Sequence, residues 1–395
     1  MTTIFRTGNR IQRRSLGASL ACAIMLVALV LGTQPTQAQT FTVLYAFGTG
    51  TDGSTPYSDL IRDAAGNLYG TTFAGGSAGD GTVFKVDSTG KETVLYSFTG
   101  GADGAIPVAG LIRGVNGNLF GVAVEGGASN QGTIFKLSTT GTLSVLHNFK
   151  TEDGSYPDAG LFRDSLGNLY GATIKGGTAD LGTVFEFNPS GKLTVLHSFT
   201  GGTDGRFPYS YGKLVQDSEG NFYGTTLAGG ASDQGVVFKL DNTGKETILY
   251  NFTGGADGGY PYAGLFVGKK GNIYGTTYIG GASGQGTVFR VSKTGKETVL
   301  YSFTGGADGG NPMARVLRDP KGNLFGTTYY GGAFNAGVVF KLEPTGKLTV
   351  LHSFDYSNDG GYPTARLARD SAGNLYGTAS AGGASNRGTV FKIAP

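Results

Sequence analysis

Aspartates recur along this chain at Asp52, Asp103, Asp153, Asp204, Asp257, Asp308 and Asp359, each followed by glycine. Seven carboxylates brought together could hold a metal ion or move protons. The spacing, however, has neither the D-x-D-x-D calcium loop nor the glycine–aspartate nonapeptide. Asp before Gly closes a capped turn, and a group present in every copy of a unit answers a need of every copy. A structural role is therefore expected for all seven. The three histidines, His147, His197 and His352, stand where other copies have Tyr45, Tyr96, Tyr250 and Tyr301. Interchange of His with Tyr suggests a half-buried amphipathic ring, and histidines in different copies are not expected to converge on one zinc ion. Neither metal-ligand spacing nor a serine-hydrolase elbow stands out. Gly-Gly pairs such as Gly331-Gly332 fall between strands instead of opening helices, so they are not phosphate cradles. No catalytic residue, cofactor or metal is expected.

More informative are the positions where the copies disagree. Just after a recurring proline stand Asp59, Gly110, Gly160, Gly264, Arg315 and Arg366, with Asp158 and the inserted Tyr211 and Lys213 nearby. Structural duty favours uniformity, so variation here points to recognition. Arg315, Arg366 and Asp59 are expected to line one sector of a channel mouth and to bind an anionic or polyhydroxy ligand, with Tyr209 and Tyr262 as stacking surfaces. The bland alternative is a solvated rim of scattered charge.

What must position these residues is a repeat. Gly-Asn-apolar-aromatic-Gly begins at Gly66, Gly117, Gly167, Gly220, Gly271, Gly322 and Gly373, at steps of 51, 50, 53, 51, 51 and 51. Each copy reads as four short strands, A to D. In the sixth these are about Ala314 to Arg318, Leu324 to Thr328, Val338 to Leu342 and Leu348 to Phe354. Such a unit cannot cover both faces of its own sheet, so it must pack on neighbours. Aromatic residues at fixed places in strands B, C and D read as core, not as a binding row. The chain opens with a D strand, Phe41 to Phe47, lacking its own A, B and C, and stops just after a C strand, so the two ends complete one blade. The expected fold is an all-β, seven-bladed β-propeller, with four antiparallel strands in each blade and the N-terminal strand closing the last one. An open solenoid gains nothing from this offset. The D-to-A and B-to-C loops are expected on one face, which carries the length changes: a deletion in Phe149 to Asp153 and two extra residues in Tyr209 to Lys213. Tight A-to-B and C-to-D turns occupy the other.

Residues 1–38 read differently. Arg6, Arg10, Arg13 and Arg14 precede an apolar run from Leu16 to Leu31, and Thr36, Gln37 and Ala38 offer a small-residue cleavage site, so this segment is expected to be a signal peptide. Residues 39–395 form the propeller. Of 31 lysines and arginines, four lie in the first 39 residues, which hold no acid; the remainder nearly balances 28 Asp and Glu, leaving a net charge of about −1. That lacks the basic footprint of nucleic-acid or anionic-membrane binding. Cys22 is the only cysteine and Trp is absent, so the exported part has no disulfide, no thiol nucleophile and no indole for stacking sugars.

The runs V-L-Y-S-F-T-G-G-A-D-G, L-x-R-D-x-x-G-N-L-Y-G-T-T and G-G-A-S-x-x-G-T-V-F-K resemble the GloVer tandem repeat of exported bacterial proteins, over essentially all of Phe41 to Ile393. The D-x-x-G-N-L-Y hairpin is also similar to NHL-type propeller repeats. The resemblance implies an exported repeat protein and supplies no catalytic residue; the family's C-terminal anchoring tail is not matched, which favours a released product. The expected function is a monomeric secreted or periplasmic binding or scaffold module for an extracellular polysaccharide or a cell-envelope protein, with no nucleic-acid partner and no membrane span after cleavage. The alternative is a propeller hydrolase or lyase with carboxylates at the channel mouth, for which Asp59, Asp158 and a third acid must meet.

Overall fold

The computed structural model describes residues 39–208 and 213–395; residues 1–38, where a signal peptide is expected, and residues 209–212 fall outside them. Seven antiparallel sheets of four strands follow one another, numbered here as blades 1 to 7 from the blade holding Leu68–Thr72 to the one holding Leu375–Ala379. The helical content among the described residues is one short 3-10 turn, Lys269–Gly271. Blade 6 has strands Leu317–Arg318, Leu324–Thr328, Val338–Leu342 and Leu348–Ser353. Strands B and C fall where expected. Strand A is much shorter, with only Leu317 opposite Phe325 and Arg318 opposite Leu324. The reason lies in the neighbouring blade. At several junctions the preceding strand B has a threonine facing this segment, and the residues before strand A give it their carbonyls: Thr71 donates to Ala109, Thr276 to Ala314 and Thr327 to Pro363, at 3.3, 3.3 and 3.4 Å.

The ring closes as the offset requires. Thr40–Ala46 pairs antiparallel with Thr389–Ala394, with Thr42 opposite Lys392, and becomes the outer strand of blade 7. Seven equivalent backbone hydrogen bonds join blade to blade, from Ile106 N–H to the Asp80 carbonyl at 2.9 Å through to Thr55 N–H and Arg387 at 2.8 Å, which completes the cycle. Each donor precedes the recurring proline and has φ between 51 and 59°, as in Thr55, Tyr260 and Asn311, an uncommon conformation for residues with a Cβ. It lays the proline against a glycine of the preceding blade: a Cβ on Gly286 would meet Pro312 Cδ at 2.8 Å and the Thr277 carbonyl at 2.3 Å.

The core repeats with the same period. The strand C and strand D phenylalanines are fully buried. Each D ring meets the next blade's C ring edge-on, at 5.2 Å for Phe47 and Phe84 and 5.2 Å for Phe354 and Phe391. Glycine in strand B makes room for them, since a Cβ on Gly377 would stand 2.5 Å from the Phe391 ring. The strand B aromatics are a correction to the expectation of a third buried row. Most are half-buried, and Tyr69, Tyr274 and Tyr376 carry an arginine of the next blade over the ring, as Arg113 lies 5.9 Å from the Tyr69 centroid. Among the described residues no helix is long and apolar enough to cross a membrane.

Candidate functional site

Where the chain turns into each strand A it passes the centre of the ring, and the variable positions meet there. Asp59, Gly110, Gly160, Lys213 and Arg366 line one cavity of about 30 Å³, room for roughly one water. The carboxylate of Asp59 accepts the Arg366 backbone N–H at 2.7 Å and lies 3.6 Å from its Nε. Arg315, surrounded by protein on nearly every side, donates from Nη1 to the Leu265 carbonyl at 3.2 Å. Burial and the neighbouring Arg366 push its guanidinium down to about 10, still charged at neutral pH. Burial, then Arg315 and Arg366, push the Lys213 ammonium down to about 8, Asp59 opposing. Three cations thus gather around one carboxylate, and Nε of both arginines is buried without a hydrogen-bond partner. The glycines give width: a Cβ on Gly110 would meet Asp59 Cβ at 2.8 Å.

Of the other expected site residues, Asp158 is buried, 3% exposed, and Tyr262 packs edge-on against Tyr278 at 5.1 Å. Tyr209 and Tyr211 lie outside the described residues. Tyr262 belongs to a larger tyrosine field. Tyr329 stacks on Tyr362 at 5.0 Å and meets Tyr330 edge-on at 4.7 Å; Tyr356 lies 5.5 Å from Tyr362. Burial, then Tyr57, Tyr330, Tyr362 and Tyr278 around it, push the Tyr329 phenol up to about 12. Tyr57 packs on Phe73 at 5.8 Å, and Phe73 and Tyr330 are each 38% exposed. These rings come from blades 5, 6, 7 and 1, the sector that supplies Arg315, Arg366 and Asp59. All sit in D-to-A and B-to-C loops, which bridge to one another in each blade, as Gly310 to Tyr330. The sequence carried a signal for them: the residue after strand B is aromatic in Phe73, Tyr278 and Tyr329 but not in Val124, Ile174, Leu227 or Ser380.

The recurring aspartates are structural. Asp52 accepts from the Tyr45 hydroxyl at 2.6 Å and the backbone N–H groups of Gly48, Thr49 and Gly50 at 2.8, 3.1 and 2.9 Å. Burial pulls its carboxyl up, but those bonds outweigh it and hold the group below its ordinary range. The His/Tyr interchange has the same origin: His147 Nε2 meets Asp153 at 2.9 Å and His352 Nε2 meets Asp359 at 2.7 Å. His197 is the exception, 3.8 Å from both Asp204 and Glu246. Sequence reasoning missed this grouping, because Glu246 opens strand D of the following blade. Among the described residues Asp59 and Asp158 form no group of three potential metal ligands. A hollow of about 1000 Å³ opens on the opposite face between blades 4 and 5, near Asp217, Lys239 and Lys293. Smaller hollows recur between blades 5 and 6 and between blades 1 and 2, so it is a variant of a scaffold groove.

With seven copies in one ring, a family can be assigned over the whole chain. A family model described as the Gloeobacter/Verrucomicrobia repeat matches residues 33–212 and again 210–395. The chain belongs to that repeat family. No curated protein matches it. Solved structures similar to this member of the repeat family include the extracellular domain of a candidate one-component system, BT4673 of B. thetaiotaomicron, at 14% identity and TM-score 0.55 over 90% of this chain and 41% of that one. The chain thus spans about two fifths of that relative's length. A candidate 6-phosphogluconolactonase of Bacteroides uniformis shares 16% identity, TM-score 0.50, over 75% of this chain and 84% of that one. XC5397 of Xanthomonas campestris, a gluconolactonase, shares 15% identity, TM-score 0.45, over 90% and 89%. At such identities the likeness is one of fold.

Proposed function

We propose that the protein is an exported binding module that takes an acidic, polyhydroxy ligand, a uronate-bearing polysaccharide in chemical class, on the loop face of blades 5, 6, 7 and 1. The observation that carries this reading is the coincidence of two features in one sector: Arg315 and Arg366 at the axis with Lys213 against a single carboxylate, and the exposed Tyr330 and Phe73 set among half-buried tyrosines in the same blades' loops. Sugar rings stack on Tyr330 and Phe73, and one carboxylate reaches the arginines. The cavity of about 30 Å³ admits a charged group and not a sugar ring, so the polymer stays on the face. Desolvated guanidinium groups with unused N–H donors favour a carboxylate strongly, by about 1.5–3 kcal/mol for each charge-assisted bond.

The test is retention on immobilised polygalacturonate and alginate, with dextran as the neutral control. The wild type is expected to be retarded on the acidic matrices and released by salt. Arg315→Gln with Arg366→Gln is expected to abolish the retardation, and Tyr330→Ala to reduce it. Equal elution of wild type and double variant from every matrix overturns the reading. The hydrolase or lyase reading has no favouring group of acids among the described residues.

A further inference from the structure

We propose that His197, Asp204 and Glu246 form a binding site for a divalent transition-type cation of the zinc class, clasping the outer strands of blades 3 and 4. His197 lies in the outer strand of blade 3, Leu193–Ser198, Asp204 in the loop that leaves it, and Glu246 begins the outer strand of blade 4, Glu246–Asn251. Their ligand atoms all lie within 4.8 Å of one another.

The other blade junctions are the internal control. Where the strand D ring is tyrosine, its hydroxyl donates to the loop aspartate even with a glutamate beside it, as Tyr45 does to Asp52 near Glu92 and Tyr250 does to Asp257 near Glu297. Where the ring is histidine beside an apolar residue, Nε2 bonds the aspartate directly: His147 lies 6.1 Å from the Phe187 ring, and His352 stacks on Phe41 at 3.6 Å. Only the junction of blades 3 and 4 combines an imidazole with two carboxylates among the described residues, and only there does the ring nitrogen stand off. Nε2 of His197 is 3.8 Å from an oxygen of each acid, and it is buried with no hydrogen-bond partner.

What sets this junction apart is the unpartnered imidazole. The Glu246 side chain is nine-tenths buried and its Oε1 has no hydrogen-bond partner, as is also true of Oε1 in Glu92 and Glu297, but only here, among the described residues, does the glutamate's other oxygen face a buried ring nitrogen that is itself unsatisfied. Asp204 is steadied by the Thr200 N–H and hydroxyl, at 2.7 and 2.9 Å. The His197 ring is braced edge-on by Phe199 at 4.6 Å. A tetrahedral ion bound at roughly 2.0–2.2 Å sets its ligand atoms roughly 3.3 Å apart, so the two 3.8 Å gaps from the imidazole, and an acid-to-acid separation within 4.8 Å, close by contraction of the side chains. One imidazole with two carboxylates suits zinc and its neighbours, whereas calcium takes oxygen ligands alone.

The experiment is calorimetric titration of chelator-treated protein with zinc, with cobalt absorption as a spectroscopic readout and calcium as the competing cation. The variants are His197→Tyr and Glu246→Leu, residue types that stand at the matching places of other blades as Tyr250 and Leu193 and are therefore tolerated by the fold. The wild type is expected to bind one zinc ion per chain, with zinc at about 100 times its Kd raising the folded-to-unfolded ratio about 100-fold and cobalt giving a tetrahedral visible band. Both variants, folded without metal and no less stable than the metal-free wild type, are expected to lose the band and at least about 30-fold in affinity. No zinc binding by the wild type, undiminished binding by His197→Tyr, or equal stabilisation by calcium overturns the proposal.

Discussion

Lys213 is the residue whose protonation couples stability to the channel. Its folded pKa of about 8 lies below the 10.5 of an ordinary lysine, so between these values the unfolded chain binds more protons than the folded one. A stability deficit is therefore present below about pH 8 and is relieved as pH rises from about 8 to 10.5. Lys213→Met is expected to remove it, raising stability at pH 7 by ~1–2 kcal/mol and flattening the urea midpoint over that window relative to wild type. The same variant is expected to weaken retention on acidic polysaccharide at pH 7 and abolish its loss above pH 8. At the loop aspartates the sign is opposite. Asp52→Ala strands the Tyr45 hydroxyl and three backbone donors, and the expected cost is about 2–3 kcal/mol in urea unfolding, without effect on the matrix retention.

At the scale of strands, the outer-strand glutamates are local costs. Burial, then Asp52, pushes Glu92 up to about 7 from 4.5. Its folded form thus holds the proton more tightly, and the contribution present below about pH 4.5 is lost as pH rises through about 7. Glu92→Leu, the residue type of Leu143 and Leu348, is expected to raise stability at pH 8 by ~1 kcal/mol after allowance for solvent screening, read as a higher melting temperature, and to do so much less at pH 4. Gly286→Ala is expected to cost about 3 kcal/mol or more, because φ of +91° and the Pro312 contact leave no room for a Cβ; differential scanning calorimetry reads it directly. Strands B and C were legible because alternating β-branched and aromatic residues sit between Gly/Asn turns. Strand A was overread, since residues 314–316 look extended but pair with no strand, and the Ala314 carbonyl is taken by Thr276 of the neighbouring blade. Asp59, Arg315 and Arg366 could be singled out because they break the uniformity of their column. The tyrosine field and the pairing of His197 with Glu246 were not legible, because both join residues that become neighbours only when one blade is laid on the next.

For the whole molecule, the decisive contact is the pairing of Thr40–Ala46 with Thr389–Ala394. A Thr42→Cys/Lys392→Cys pair, facing across that seam, is expected to form a disulfide and to stabilise the protein by up to about 5 kcal/mol, the range for a very long closed loop; a reductant-sensitive shift in melting temperature checks it. The seam also sets a timetable. Its first half leaves the ribosome some 350 residues ahead of its second, a wait of roughly 20–70 s at ordinary elongation rates. Until then blade 7 lacks its rim, and the nascent polypeptide carries an unmated β-segment open to rival chains. Sealing is thus the last event of synthesis, and during that interval mispairing competes with closure on grounds that the stability of the finished ring does not reveal.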